Sequence, residues 1–226
     1  MSFLVIIAAR TGSRRLPGKA LLPLMSVPVI CLLIRRLKTS KLAEKIVFAT
    51  TQLPEDDLLA ETVKKEGIEV FRGSTDDVLN RYVEAALSFD AEYAVRVTGD
   101  CPFVDGSTLD IVLERCREIG SFDLVTTKPA YPHGIDYEVY RKNLLAEIYH
   151  LELTAEDREH ILNYVYRNED IFKIVRLEPP VELKSEKTIF LLDTPEDYQR
   201  MKTLVEGVLD IHVSPSELIR IHENAY

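Results

Sequence analysis

Apolar runs of strand length alternate with stretches of helical periodicity along most of this 226-residue chain. Near-continuous apolar segments predict strands at residues 4–9, 45–50, 68–71, 93–97, 122–126, 171–177 and 188–192. Between several of them, apolar positions recur at i, i+3 and i+4 over residues 30–37, 56–65, 78–87 and 109–119, which predicts amphipathic helices. Such alternation builds βαβ units on a largely parallel sheet that is buried on both faces. Two later helix starts have capping-box spacing. Thr154 precedes Asp157, and Thr194 precedes Asp197 with Pro195 at the first helical position. Asp stands where Glu is usual, so each box is weaker than the ideal. Residues 128–140 interrupt the alternation: Pro129, Pro132 and Gly134 predict a turn, and 135–140 alternate like a strand with one wet face. An insertion at the edge of a site and an ordinary antiparallel edge strand both fit that pattern.

Length and composition point to one soluble α/β domain, with 46% hydrophobic and 29% charged residues and no repeat, low-complexity tract or linker. No apolar run approaches the roughly 20 residues that a membrane helix needs. The apolar stretch 3–9 has no basic region before it and runs into Arg10, so it reads as a buried strand and not as a signal peptide. Cys31, Cys101 and Cys116 are an odd number without CxxC spacing, which favours a reducing, cytoplasmic setting over a disulfide framework or a zinc knuckle. The histidines show no ligand spacing either. A net charge of −9 argues against general nucleic-acid binding. Its distribution is uneven, because residues 1–43 hold eight basic side chains and the first carboxylate is Glu44. Four of these cations, Arg10, Arg14, Arg15 and Lys19, fall in one loop. They read as a solvated basic surface or as an anion site.

That loop, Ala8-Ala9-Arg10-Thr11-Gly12-Ser13-Arg14-Arg15-Leu16-Pro17-Gly18-Lys19, follows the first strand directly. In an open α/β sheet, ligands bind where loops leave the carboxyl ends of strands. Gly12 and Ser13 permit a tight turn whose N–H groups converge on an anion. Arginine adds bidentate phosphate geometry and lysine a point charge. The loop is not a Walker A motif: five residues separate Gly12 from Gly18 where that motif has four, and Ala20 replaces its Ser/Thr. No GxGxxG is present.

The stretch from Ile6 to Lys19 resembles the N-terminal motif of the cytidylyltransferase family, which contains the CMP-Kdo and CMP-sialic acid synthetases and the spore coat polysaccharide biosynthesis protein F group. Further blocks follow in order: Gly73-Ser74-Thr75-Asp76-Asp77-Val78-Leu79-Asn80-Arg81-Tyr82, then Arg96-Val97-Thr98-Gly99-Asp100-Cys101-Pro102. His133-Gly134-Ile135-Asp136-Tyr137-Glu138-Val139, Asp157-Arg158-Glu159-His160 and Leu192-Asp193-Thr194-Pro195-Glu196-Asp197 complete the series. The middle and late blocks are most similar to the spore coat group. Thr11 stands where that group is expected to carry a larger residue, and Arg14 where it is expected to carry Thr.

The resemblance implies a nucleotide-diphospho-sugar transferase-like, Rossmann-like domain with a mixed, mostly parallel sheet flanked by helices. It implies a homodimer, with residues 128–168 on the acceptor side or at the dimer contact. The implied partners are CTP, or another nucleoside triphosphate, and a sugar acceptor such as a sugar acid; neither nucleic acid nor membrane is implied. A glycosyltransferase acting on a finished nucleotide-sugar is the rival reading, and a silent nucleotide-binding protein a further one. Ala8, Ala9, Arg10, Gly12, Ser13, Arg15, Lys19, Ser74, Arg81 and Gly99 would hold the nucleotide. Arg15, Lys19 and Asp100 would serve catalysis. Asp100 and Asp193 both end strand patterns, and hard carboxylate oxygens beside a triphosphate suit Mg²⁺. The resemblance implies that role at both positions; the local alternatives are a turn residue at Asp100 and a helix cap at Asp193. The capping box starting at Thr194 leaves Asp193 free. Ser74, Asp76 and Asp77 read equally well as the start of the following helix. Asp136 and Glu138, two apart on a strand, share one face and would meet sugar hydroxyls or water. His160, with Ile161, Leu162 and Val165, reads as a structural helical histidine unless the family match of Arg158, Glu159 and His160 places all three on the acceptor side. Cys101 has no histidine partner nearby in the sequence and the transfer needs no covalent intermediate, so it is rejected as a nucleophile.

Overall fold

The computed structural model describes residues 1–225. Its strands are β1 (Phe3–Ala8), β2 (Pro23–Leu24), β3 (Val27–Pro28), β4 (Lys45–Thr51), β5 (Glu69–Gly73), β6 (Tyr93–Thr98), β7 (Leu124–Thr126), β8 (Glu138–Arg141) and β9 (Ile174–Arg176). Its helices are α1 (Val29–Leu37), α2 (Asp57–Lys65), α3 (Val78–Leu87), α4 (Gly106–Ile119), α5 (Leu144–Tyr149), α6 (Ala155–Glu159), α7 (Asn163–Arg167), α8 (Pro195–Leu204) and α9 (Pro215–Ala225). Seven strands form one sheet in the order β5-β4-β1-β6-β8-β7-β9, and β2 and β3 form a separate small hairpin. All neighbours in the large sheet are parallel except that β8 runs antiparallel to both β6 and β7. The mixed, mostly parallel α/β sheet is the one the alternating pattern predicts.

The central strand shows why the apolar runs lack alternation. Phe3, Val5 and Ile7 of β1 pack with α1, α2 and α4, whereas Leu4 and Ile6 pack with α3, α5 and α7. A strand buried on both faces has no polar side to present. Helix starts follow their caps: Asp77 accepts from Asn80 N–H at 2.8 Å, and Asp105 accepts from Thr108 N–H at 3.0 Å. Both predicted capping boxes are present, at Thr154 and Thr194. A buried arginine fastens the late part of the chain to α1. Arg36, fully excluded from solvent, donates to the carbonyls of Ile211 (2.7 Å), Val213 (2.8 Å) and Phe103 (3.0 Å). Among the described residues, no helix is long and apolar enough to cross a membrane.

Two expectations need correction. Residues 188–192 are extended but are not a sheet strand. Their backbone makes isolated bonds, Phe190 N–H to His133 O (2.7 Å) and Leu192 N–H to Asp100 O (2.8 Å), with no ladder. The second concerns 135–140: β8 lies inside the sheet, not at its edge, and Ile135, Tyr137, Glu138 and Val139 are all buried. Its second face is covered, so the predicted wet face does not exist.

Candidate active site

The order β5-β4-β1-β6 reverses direction of growth at β1, and the crevice outside the carboxyl ends of β1 and β6 is where such sheets bind ligands. A cleft of about 1060 Å³ opens there. The two strand ends approach closely because residue 99 is glycine: Gly99 N–H donates to Ala8 O at 2.8 Å, and a Cβ on it would lie 2.5 Å from the Ala9 Cβ. Asp100 therefore hangs directly beside the loop that leaves β1. The antiparallel direction of β8 brings its first residue, Glu138, to the same edge, opposite Arg96 of β6 in register.

Three segments meet at one lysine. Lys19 Nζ donates to Asp100 Oδ2 at 2.8 Å and to Asp193 Oδ1 at 3.2 Å, and Arg15 pairs with the other oxygen of Asp193. The bond from Leu192 to the Asp100 carbonyl sets Asp193 in place. Asp193 does not cap α8. That work falls to Thr194, which accepts from Asp197 N–H, while Asp197 accepts from the N–H groups of Thr194 (2.9 Å) and Asp193 (3.0 Å). Burial alone would raise the Asp100 carboxyl, but the Lys19 ammonium and a hydrogen bond from Thr98 hold it below the usual carboxylate range. Two carboxylates that both reach one ammonium also reach one cation of another kind. Among the described residues no three His, Cys, Asp or Glu side chains gather as a metal cage. A pair of hard oxygen donors still fits Mg²⁺, which commonly takes one or two protein carboxylates and completes its shell with phosphate and water.

Beyond Asp100, an ion network centred on buried Glu138 lines the floor. Glu138 accepts from Arg96 (2.6 Å), Lys128 (3.1 Å) and the Tyr166 hydroxyl (2.7 Å). Lys128 also lies 3.3 Å from Asp136. Burial would push the Glu138 carboxyl up, yet the two cations hold it down at about 2. Burial likewise acts to lower Lys128, and the two carboxylates more than offset it, leaving its pKa raised. The reading in which Glu138 merely faces water is thus overturned; Asp136 shares its face and its lysine.

Of the residues singled out in the sequence, Ala8, Ala9, Arg10, Gly12, Ser13, Arg15, Lys19, Arg81, Gly99, Asp100, Asp136, Glu138, Glu159, His160 and Asp193 line the cleft. Ser74 and Arg158 are not part of its wall, and their side chains have structural partners. Ser74 Oγ accepts from Asp77 N–H at 3.1 Å, and Arg158 pairs with Asp77 at 2.7 Å while lying over the Tyr149 ring. His160 is not on a helix: α6 ends at Glu159, and the exposed imidazole sits before α7 at the cleft rim. Arg10 spans the cleft mouth to Glu159 at 3.4 Å, and buried Arg81 donates to Ser74 O at 2.6 Å. Cys101 is buried, and its thiol is pushed well up by burial. The residue pattern pointed to neither Lys128 nor Tyr166. Arg96 had a signal, a charge in the middle of an apolar strand run.

The chain matches a family model of cytidylyltransferases over residues 4–224. The spore coat polysaccharide biosynthesis protein SpsF of Bacillus subtilis is 35% identical over 225 residues, covering 96% of this chain and 92% of that protein. A solved cytidylyltransferase from Leptospira borgpetersenii superposes with a TM-score of 0.92 at 33% identity, over 100% of this chain and 95% of that one. A solved CMP:2-keto-3-deoxy-manno-octonic acid synthetase in complex with CTP shares the fold, with a TM-score of 0.71 at 18% identity over 92% and 99% of the two chains. Sequence pattern, sheet-edge geometry and these matches agree: the chain belongs to the cytidylyltransferase family and is a nucleotidyltransferase.

Proposed function

We propose that the protein transfers CMP from CTP to a sugar hydroxyl with release of pyrophosphate, in a reaction that depends on Mg²⁺. The observation that carries this reading is the meeting of Lys19, Asp100 and Asp193 at the point where the sheet reverses order. In the reaction the acceptor oxygen bonds to the α-phosphorus and the bond from that phosphorus to the bridging oxygen breaks. Pyrophosphate leaves with the bonding pair, and the hydroxyl proton passes to solvent. Arg10, Arg15 and Lys19 line the cleft from the β1 loop and neutralise the triphosphate. Asp100 and Asp193 would hold Mg²⁺, whose contribution is charge neutralisation on the phosphate oxygens. For in-line displacement, the attacking acceptor oxygen and the leaving pyrophosphate lie on opposite sides of the α-phosphorus. With the β1 loop and Arg81 on the nucleotide side, the floor made by Asp136, Glu138 and Lys128 faces the acceptor. The chain's own residues thus supply alignment and a fixed field.

Pyrophosphate release from each of the four nucleoside triphosphates, measured against a panel of sugar acids and phosphorylated sugars, tests the reading. CTP is expected to be preferred, and chelation of divalent cations to stop release. Turnover of a finished nucleotide-sugar without pyrophosphate would replace it with glycosyl transfer. A second measurement bears on the loop. Lys19→Ala and Arg15→Ala should each weaken CTP binding, by about 1.5–3 kcal/mol per lost charge-assisted contact. Lys19 belongs at the upper end, because its side chain is 15% exposed against 70% for Arg15. Unchanged calorimetric CTP affinity in both variants would make the loop a surface turn.

A further inference from the structure

The loop that leaves β1 is held to the body of the protein at a point its charged residues do not reveal. Thr11 is its hub. The Thr11 carbonyl accepts from Ser13 N–H (2.8 Å) and from Gly18 N–H (3.1 Å), which closes the loop on itself. The same residue's N–H and hydroxyl both donate to Asp56 Oδ1, each at 2.7 Å. The second Asp56 oxygen accepts from the Thr51 hydroxyl at the end of β4. Asp56 is fully excluded from solvent.

We propose that Asp56 is a positioning residue for the nucleotide: by gripping Thr11 it fixes the shape in which the Arg10–Lys19 loop meets a triphosphate. The inference rests on the nucleotide-binding reading above. Three donors converge on one side chain, and a carboxylate is the group that offers acceptors alone in that number. Placing a buried negative charge behind a loop that must take a polyanion is electrostatically unfavourable. It is tolerated here because its oxygens are hydrogen-bonded. Burial would raise this carboxyl, and the bonds from Thr51 and Thr11 outweigh it, so it stays ionised and acceptor-only. An amide at this position keeps one acceptor oxygen and turns its NH₂ group toward the threonine on the other side, so one of the two contacts is lost. The loop would otherwise have to be ordered by the ligand, at a cost to affinity. Its exposed arginines, Arg14 and Arg15, sit on the stretch that this grip keeps in place.

The test combines a loop readout with a nucleotide readout on the full chain. Thr11→Val removes the hydroxyl and keeps size and N–H; Thr11→Ser keeps both bonds; Asp56→Asn keeps size and loses the acceptor-only character. Trypsin cleavage after Arg14 or Arg15, followed by mass, should run several-fold faster in Thr11→Val and Asp56→Asn than in wild type and Thr11→Ser. Calorimetric affinity for CTP with Mg²⁺ should fall about five- to twentyfold in the same two variants and stay near wild type in Thr11→Ser. Melting temperature confirms that the variants are folded, and Thr11→Val carries the test if Asp56→Asn is not. Unchanged cleavage and affinity in folded Thr11→Val would overturn the proposal, as would faster cleavage with unchanged affinity. A wild-type protein that binds no nucleoside triphosphate, with cleavage responding as described, would bring down the nucleotide reading, and the positioning role with it, while leaving the grip itself in place.

Discussion

Replacing Asp100 or Asp193 by Asn is expected to lower turnover by a factor of about 10²–10³ while changing CTP affinity far less, because the substitution keeps volume and removes a negative charge that would hold Mg²⁺ at the reacting phosphate. The two side chains come from the loop after β6 and from the extended segment before α8, and their oxygens lie 2.8 and 3.2 Å from the same Lys19 nitrogen. Groups that act as one unit are strongly non-additive, so the double variant should be little slower than either single one. Stability should hardly move in Asp193→Asn, since Thr194 and Asp197 carry the helix cap between them. Steady-state kinetics at saturating Mg²⁺ and CTP decide the matter. Near wild-type turnover in Asp193→Asn would sink the two-carboxylate site.

Glu138→Gln should be the most destabilising conservative change in the cleft. Its carboxylate is the shared acceptor for Arg96, Lys128 and Tyr166, and removing one member of a buried ion pair typically costs about 3–5 kcal/mol by leaving the other uncompensated. Lys128 retains Asp136, which moderates the loss on that side. The pH dependence has a definite sign. The folded pKa is depressed from 4.5 to about 2, so the carboxylate's contribution is fully present above the unfolded value and disappears as pH falls through the folded one. Denaturant unfolding of wild type and variant should therefore differ by a constant amount near neutrality and converge between about pH 4.5 and 2. A difference that stays flat across that window would assign the effect to packing and not to charge.

The parts legible in the sequence were those with a local cause. Strands 4–9 and 93–97 read correctly because burial on both faces removes polar positions, and the helix caps at Thr154 and Thr194 because their partners lie three residues away. Residues 188–192 read as a strand for a sound reason: Phe190 and Leu192 do enter the core, although Ile189 stays exposed. Local pattern reports burial, and it carries no information on whether a neighbouring strand supplies a ladder. The same limit applies to 135–140, where a polar residue in alternation signals water unless a cation from elsewhere pairs with it, as Arg96 does with Glu138. Lys128 and Tyr166 were invisible because their relevance depends on a reversed strand bringing Glu138 to the cleft edge. Ser74 and Arg158 were placed by resemblance, and the geometry gives both a structural partner in Asp77.

The Arg36 clamp bears on how the protein is made. A guanidinium in the first helix finds its acceptors in the carbonyls of residues 103, 211 and 213. During synthesis α1 is made long before the last two acceptors, which exist only once residues 211 and 213 have followed it. Until then Arg36 has at most the Phe103 carbonyl, and full burial of the guanidinium against it alone is costly. Consolidation of the core around α1 is thereby tied to a segment far along the chain from it. A chain cut before residue 211 would leave Arg36 only the Phe103 carbonyl, so burying that guanidinium would cost free energy that the full set of acceptors offsets.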